Sequence, residues 1–122
     1  MKNYSIEDVV SIFEQSGIIM LEATLSGDYK LNNKEGKKLT KVFKYFEKNL
    51  SFAKECIEEL YKSDNVVVLS KAAAYSLALE YNIDRALNVL NVIANNENNG
   101  IFALNAKMTI KVWEKQGLLK IY

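Results

Sequence analysis

The feature that most constrains the fold of this chain is an internal repeat. When segment 51–81 is shifted forward by about 33 residues, its apolar positions fall on apolar positions again. The matching pairs are Ala53 and Ala86, Ile57 and Leu90, Leu60 and Ile93, Ala73 and Ala106, and Leu77 and Ile110. A repeat of this length is typical of units made of two helices, so the sequence predicts stacked helical hairpins, a scaffold suited to binding.

The rest of the chain extends this pattern to six helices. A second helix is expected at about residues 31–49, where apolar residues recur at helical spacing. The residues expected to cap the first, third and fifth helices are Ser5, Ser51 and Asp84. The glycines expected just past the first and last helices are Gly27 and Gly117. Six helices joined by short turns predict an all-α fold of three stacked antiparallel hairpins, in one domain over residues 1–122.

Two positions in this pattern leave alternatives. Residues 66–69 are Val-Val-Val-Leu, which by residue type could form a short buried strand. The run continues into alanines without turn residues, so a helix is expected there, capped by Asp64 or Asn65. Gly17 interrupts the first helix, where it could mark a bend, a close packing point or a break.

Composition excludes several classes of chemistry. The chain has no histidine, which removes the usual general base, the commonest metal ligand and any catalytic triad built on histidine. Its single cysteine, Cys56, cannot form an intramolecular disulfide and is expected to be a buried small apolar residue. The net charge of +1 gives no global field that would attract nucleic acid or an anionic membrane.

The N-terminal segment gives an expectation about location. Three acidic residues, Glu7, Asp8 and Glu14, interrupt its apolar residues, unlike a signal peptide. No apolar run approaches the roughly 20 residues of a bilayer span. We therefore expect a cytoplasmic protein with no membrane partner.

The C-terminal part of the chain carries a pattern that we recognise. It consists of residues 72–74, 84–90 and 106–110, followed by Trp113 and residues 117–118. This pattern resembles a small bacterial family of unknown function with HEAT-like helical repeats, and the Gly27-Asp28-Tyr29 turn fits it as well.

The resemblance implies a HEAT-like α-α superhelix and no known activity. Some members of such families look like immunity proteins or antitoxins, which implies a partner protein that is a toxin. Two residues depart from the pattern. Ile110 stands in place of a leucine, and Lys71 stands where an arginine is expected, which puts any ion pair of that side chain in doubt.

A lysine-rich face on the second helix is the first candidate surface. Its members are Lys34, Lys37, Lys41, Lys44 and Lys48. The face could bind phosphates or an acidic protein surface, or it could be a solvated face whose charge Glu35 and Glu47 dilute. Because arginine occurs only once and the net charge is small, nucleic acid is not an expected partner.

Acidic residues on the third helix form the second candidate. Glu55, Glu58 and Glu59 could offset a basic surface on a partner, or they could be a solvated polar face. One helix does not supply the converging carboxylates that a metal site needs, so no metal is expected there.

Aromatic residues form the third candidate. Tyr45 and Tyr75 lie off the main inner stripes and are expected at an interface. Trp113 lies in the register of the repeat and is expected in the core.

These observations favour a non-enzymatic protein-binding module, in its specific form an immunity protein that binds and neutralises a toxin. The alternative is a structural or homo-oligomeric helical-repeat protein, in which an uncapped apolar end of the stack forms a homodimer. The apolar residues of segment 118–122 favour this alternative. No catalytic residue, cofactor or metal is expected for either function.

Overall fold

The structure, a computed structural model, describes residues 3–122, and no β-strand occurs within that range. Its helices are α1 (Ile6–Ser26), α2 (Tyr29–Lys48), α3 (Leu50–Leu60), α4 (Val66–Ala78), α5 (Ile83–Ala94) and α6 (Ile101–Gln116). A short 3-10 turn, Glu97–Asn99, lies between α5 and α6. The predicted all-α class and the number of helices are confirmed.

Two helix starts follow the predicted capping chemistry. Ser5 Oγ accepts a hydrogen bond from the Asp8 amide at 3.0 Å, and the Asp8 carboxylate accepts one from the Ser5 amide at 2.9 Å. Asn65 Oδ1 accepts from the amides of Val67 and Val68 at 2.8 and 3.3 Å, respectively. These bonds satisfy amides that have no partner within the first helical turn. The segment 66–69 is therefore the start of α4, as predicted, and not a strand.

Three other predicted starts are wrong by one or two residues. α3 begins at Leu50 and α5 at Ile83, so Ser51 and Asp84 lie inside their helices, each at the second position, and do not cap them. α2 begins at Tyr29 because the Asp28 carboxylate accepts a hydrogen bond from the Leu31 amide at 3.1 Å. The repeat correctly paired Ser51 with Asp84, but both stand one residue past the helix start.

Gly17 is a close packing point inside a continuous helix. α1 runs through it without a break, and the glycine is buried. A Cβ atom at this position would lie 2.7 Å from Val68 Cγ2 and 3.3 Å from the Asn65 side chain. The absence of a side chain therefore lets α1 approach the N-terminal end of α4 closely.

Two apolar clusters form the core, and α4 contributes to both. The first cluster joins α1, α2, α3 and one side of α4, including Phe13, Phe46 and Tyr75. The second joins the other side of α4, including Ala73 and Leu77, to α5 and α6. Since alanines at positions 72 and 73 let neighbouring backbones approach, α4 can be covered on both sides.

The repeat predicts burial well in four of its five pairs. The four pairs Ala53 and Ala86, Ile57 and Leu90, Leu60 and Ile93, and Ala73 and Ala106 are all buried. In the fifth pair Leu77 is buried and Ile110 is only half-buried, at the edge of the second cluster. The last repeated position thus lies where the structure meets solvent.

Helix α1 bears on the expectation that no segment could span a membrane. This helix has 21 residues, and an 18-residue window within it has a mean hydropathy of 1.2. By length and composition alone, α1 could therefore cross a membrane. The expectation was too strict, because it counted uninterrupted apolar residues. One such helix is weak evidence for a span, since helices that pack into a core pass the same test, and α1 contacts α2, α3 and α4 here.

The C-terminal segment folds back onto the helices. Ile121 packs against the first cluster and Leu119 against the second. The Tyr122 hydroxyl donates to Glu47 Oε1 at 2.6 Å, and the ring lies 6.1 Å from that of Phe43. This segment therefore covers part of α2, while Leu118 and Tyr122 stay more than half exposed.

Candidate partner-binding surfaces

The lysine face of α2 is exposed as predicted. All five of its lysines are solvent-exposed: Lys34, Lys37, Lys41, Lys44 and Lys48. Lys44 Nζ lies 4.7 Å from the centre of the Tyr122 ring, a cation–π distance, so the C-terminal residue takes part in this face. The other four project from α2 without an ion pair to any residue in the range 3–122.

Glu35, which the sequence placed on this face as a diluting charge, is instead buried. It is 3% exposed and accepts a hydrogen bond from Ser16 Oγ at 3.1 Å. Lys38 Nζ lies 2.9 Å from its other oxygen. The hydrogen bond and charge of Lys38, with the Ser16 bond, lower the pKa of Glu35 despite the opposing effect of burial. Glu35 therefore ties α2 to α1, and as an ionised carboxylate it still offsets part of the positive charge of Lys34 and Lys38.

The predicted acidic surface on α3 is largely neutralised. Glu58 accepts hydrogen bonds from Arg85 Nη1 and, at 2.6 Å, from the Tyr81 hydroxyl. Glu59 pairs with Lys62 at 3.0 Å. Of the three glutamates, only Glu55 is exposed with no ion pair among the described residues. Two of the three carboxylates are thus already paired within the chain, and the role of all three at a partner surface stays a prediction.

Arg85 completes this arrangement. Its guanidinium lies 4.6 Å from the centre of the Tyr61 ring while it pairs with Glu58. It thereby links the end of α3 to the start of α5. The contact joins the two halves of the repeat, and no local sequence pattern predicts it because the partners are far apart in the chain.

Tyr75 does not lie at an interface. It is 2% exposed, and its ring centre lies 4.7 Å from that of Phe43 and 5.8 Å from that of Phe13. Burial raises the pKa of its hydroxyl. The prediction failed because α4 is covered on two sides, so a residue off one inner stripe lies on the other.

Tyr45 is half-buried within an aromatic group. Its ring makes edge contacts with Tyr4 and Phe52, at centroid distances of 5.1 and 5.5 Å. These contacts hold the ring against α3, so it offers a partner an edge and not a free side chain. Its predicted role at an interface stays a prediction.

Trp113 and Cys56 have environments close to those expected. Trp113 is half-buried and packs against the second cluster. Cys56 is fully buried in the first cluster, and burial raises the pKa of its thiol to about 12, with the charge of Glu55 as the next cause. The thiol is thus protonated at neutral pH and packs as an apolar group.

An exposed apolar stripe on α6 is the surface that sequence reasoning missed. It consists of Ile101, Leu104, Met108 and Val112, which are between 38% and 56% exposed. Their spacing of three and four residues puts them on one side of the helix, opposite the buried residues Ala103 and Ala106. The same spacing in the sequence was a usable signal. The signal is ambiguous because α6 carries a second apolar stripe, and only that second stripe matches the repeat.

A row of lysines borders this stripe along one edge. Lys107, Lys111 and Lys115 recur every four residues and are all exposed. Apolar residues bordered by one sign of charge form a surface with a defined chemical preference. A partner that covers the stripe would best carry acidic residues beside its own apolar residues.

Comparisons with protein-family models, curated proteins and solved structures found no match for this chain. The resemblance to a family with HEAT-like repeats therefore stays a prediction. Within residues 3–122, no group of three or more cysteine, aspartate and glutamate side chains is arranged to hold a metal ion.

Proposed function

We propose that this protein is a non-enzymatic binding module that recognises another protein through the outer face of α6. The observation that carries the proposal is the stripe of four exposed apolar side chains along that helix. Covering apolar surface drives most protein association, and an uncovered stripe at helical spacing fits a partner helix or groove. The lysine row beside it favours an acidic partner.

A partner other than a second copy of this chain fits the lysine row better. In a two-fold symmetric pair with antiparallel α6 helices, both lysine rows would lie on the same side of the interface. Like charges placed together oppose association. A homodimer is therefore the second candidate, and light scattering at rising protein concentration separates the two. A dimer that Leu104→Glu dissociates would favour the homodimer.

The specific form of this role implied by the family resemblance is that of an immunity protein that neutralises a toxin. Its support is the combination of an apolar stripe with a basic border and a second basic face on α2, which together fit an acidic protein surface. Charge complementarity of this kind speeds association and sets specificity.

Affinity capture from the native host tests the proposal. The bait proteins are the parent, the double variant Leu104→Glu with Met108→Glu, and the control Leu25→Glu. Leu25 is a fitting control because it is an apolar residue on a different helix, α1, and is at least as exposed as Leu104 and Met108. We expect a protein to be retained by the parent and the control and lost by the double variant, with weaker retention at higher salt.

Two results would contradict the proposal. One is the recovery of no specific protein by the parent at low salt. The other is equal recovery by the parent and the double variant, which would place the binding surface elsewhere, with the lysine face of α2 as the next surface to vary.

A further inference from the structure

A cleft on the side of the molecule formed by α1, α2, α4 and α6 combines enclosure with unpaired positive charge. Its inner part is a cavity of about 220 Å³, lined by residues of all four helices, including Met20, Lys71 and Phe102. It continues into a more open groove of about 450 Å³ that shares Met20, Asn32 and Lys71 and adds Lys37. Two lysines from different helices thus line one continuous cleft.

Lys71 is the central charge of this cleft. It is half-buried, and no carboxylate in the described part of the chain lies within 4 Å of its ammonium group. None of the described residues that line the cavity or the groove is acidic. Burial lowers the pKa of Lys71, as expected for a cation that is partly dehydrated and has no counter-charge.

The polar residues around Lys71 are also not fully satisfied by one another. Asn32 Nδ2 donates to Thr24 Oγ1 at 3.0 Å, but Asn32 Oδ1 is buried and has no hydrogen-bond partner among the described residues. Native structures contain few unpaired buried polar groups, because each one lowers the stability of the fold. The unpaired Lys71 ammonium lacks an acceptor within residues 3–122, which an anionic ligand would supply. Asn32 Oδ1 lacks a donor there, so only a ligand that also carries a hydroxyl or N–H group would satisfy it.

The size and chemistry of the cleft define the ligand class. The enclosed part is smaller than the roughly 300 Å³ at which ordinary drug-sized pockets begin, and would hold about seven waters at roughly 30 Å³ each. The inner part therefore accommodates a group of about that size, and a larger ligand would have to extend into the groove that Lys37 lines. The apolar walls formed by Met20 and Phe102 suit a compact hydrocarbon group, and the ammonium suits an anion.

We propose that this cleft binds a small organic anion, whose carboxylate or phosphate group is held by Lys71 and Lys37 and whose apolar body contacts Met20 and Phe102. Such a site is independent of the stripe on α6 that the proposed function uses. The two meet only along the edge of α6, where Asn105 and Thr109 line the cavity. A bound anion would therefore connect α4 and α2 with the inner edge of the partner-binding helix.

Calorimetric titration with three small probes tests the site. Benzoate and phenyl phosphate carry the same aromatic body with different anionic groups, and benzyl alcohol carries it without charge. We expect saturable binding of at least one anion with a Kd of about 1 mM or tighter. The anion that binds more tightly identifies the head group. Benzyl alcohol should bind more weakly than that anion.

Lysine variants assign the binding to the cleft. We expect Lys71→Gln to weaken binding of the anion about tenfold, since a charge-assisted hydrogen bond is lost, and Lys71→Arg to retain most of it. Lys48→Gln is the matched control. It removes an exposed lysine of α2 that lies three turns from Lys37 and lines neither the cavity nor the groove. Circular dichroism melting shows whether each variant is folded.

Lys71→Gln should fold at least as stably as the parent, because it removes a partly dehydrated charge. The proposal fails if neither anion binds saturably to the parent. It also fails if Lys71→Gln and Lys48→Gln weaken binding equally, because that result would indicate general attraction to a basic surface.

Discussion

Gly17 and Gly36 are both helical glycines, Gly17 at the contact of α1 with α4 and Gly36 on the side of α2 that faces α1, and they differ in the space that a methyl group would meet. At Gly17 a Cβ would lie 2.7 Å from Val68 Cγ2, whereas at Gly36 the nearest atom is Met20 Cε at 3.9 Å. Alanine gains about 1 kcal/mol over glycine in a helix interior. Only at Gly36 can this gain be realised without a clash.

We therefore predict opposite effects of the same substitution. Gly36→Ala should raise the free energy of unfolding by about 0.5–1 kcal/mol through helix propensity. Gly17→Ala should lower it by about 1–2 kcal/mol, because overpacking costs more than the propensity gain. Urea unfolding followed by circular dichroism measures both. Stabilisation by Gly17→Ala would show that α1 and α4 can separate at no cost.

Glu35 leads to a prediction about pH. Its pKa is lowered in the folded protein from the ordinary value of 4.5, so its ionised form stabilises the fold above that pH. This contribution disappears as the pH falls through the lowered pKa. Replacing it with glutamine should cost about 1–3 kcal/mol at pH 7, because the charge-assisted bonds with Ser16 and Lys38 are weakened.

The difference between parent and Glu35→Gln in the free energy of unfolding should shrink as the pH falls below 4.5. Urea titrations at pH 7 and at low pH give this difference directly. Glu55→Gln is the control, because Glu55 is exposed and forms no ion pair among the described residues. A difference between parent and Glu35→Gln that is the same at both pH values would contradict the assigned role of the Glu35 charge.

At the scale of the helix, the starts of α3 and α4 provide a contrast. Asn65 makes two capping hydrogen bonds, whereas Ser51 lies inside α3 and makes no capping bond. Asn65→Ala should destabilise the protein by about 1 kcal/mol. Ser51→Ala should be close to neutral, with a small gain from helix propensity. Thermal melting of the two variants measures these effects. An equal loss of stability in both variants would indicate that Ser51 does act as a cap.

The positions of the helices could be predicted more closely than their ends. Apolar spacing and the alanine run were sufficient to choose a helix over a strand for residues 66–69, because strands rarely continue into alanines. The exact starts of α3 and α5 were not predictable from residue type. Serine and aspartate are favourable in the first turn of a helix nearly as often as at the capping position. Residue type alone therefore does not decide which of these two positions Ser51 and Asp84 occupy.

The helix on which Tyr75 is misplaced and the helix whose exposed stripe is not predicted share one physical property. Both α4 and α6 carry apolar residues on two sides. On α4 both sides are buried, so Tyr75 is in the core, whereas on α6 one side is exposed, so Met108 faces solvent. Periodicity reports which residues share a side of a helix. It does not report whether another helix covers that side, since that depends on partners distant in the chain.

For the whole molecule, the sharing of α4 predicts cooperative unfolding. Leu77 lies in the second cluster and Tyr75 in the first, only two residues apart on one helix. Leu77→Ala should destabilise the protein by about 2–5 kcal/mol, as expected for a fully buried leucine. Because α4 cannot unfold from one cluster alone, both clusters should be lost together.

Two probes check this cooperativity. The fluorescence of Trp113, the single tryptophan, reports on the second cluster, and circular dichroism reports on all helices. Their unfolding curves should coincide in the parent and in Leu77→Ala. Leu104→Ala, at an exposed position of α6, is the control and should change the stability little. A fluorescence transition that precedes the loss of helix would show two independent units.

The dual role of α4 also restricts how this chain can diversify by recombination. A crossover that replaces everything after α4 would bring in new α5 and α6 helices whose side chains are adapted to pack against a different α4. The new helices would have to pack against Ala73 and Leu77, which the retained α4 supplies. Chimeras joined beyond α4 should thus fold only when the two parent sequences are similar. Substitutions on the outer side of α6, in contrast, do not alter the packing of α4 against α5 and α6.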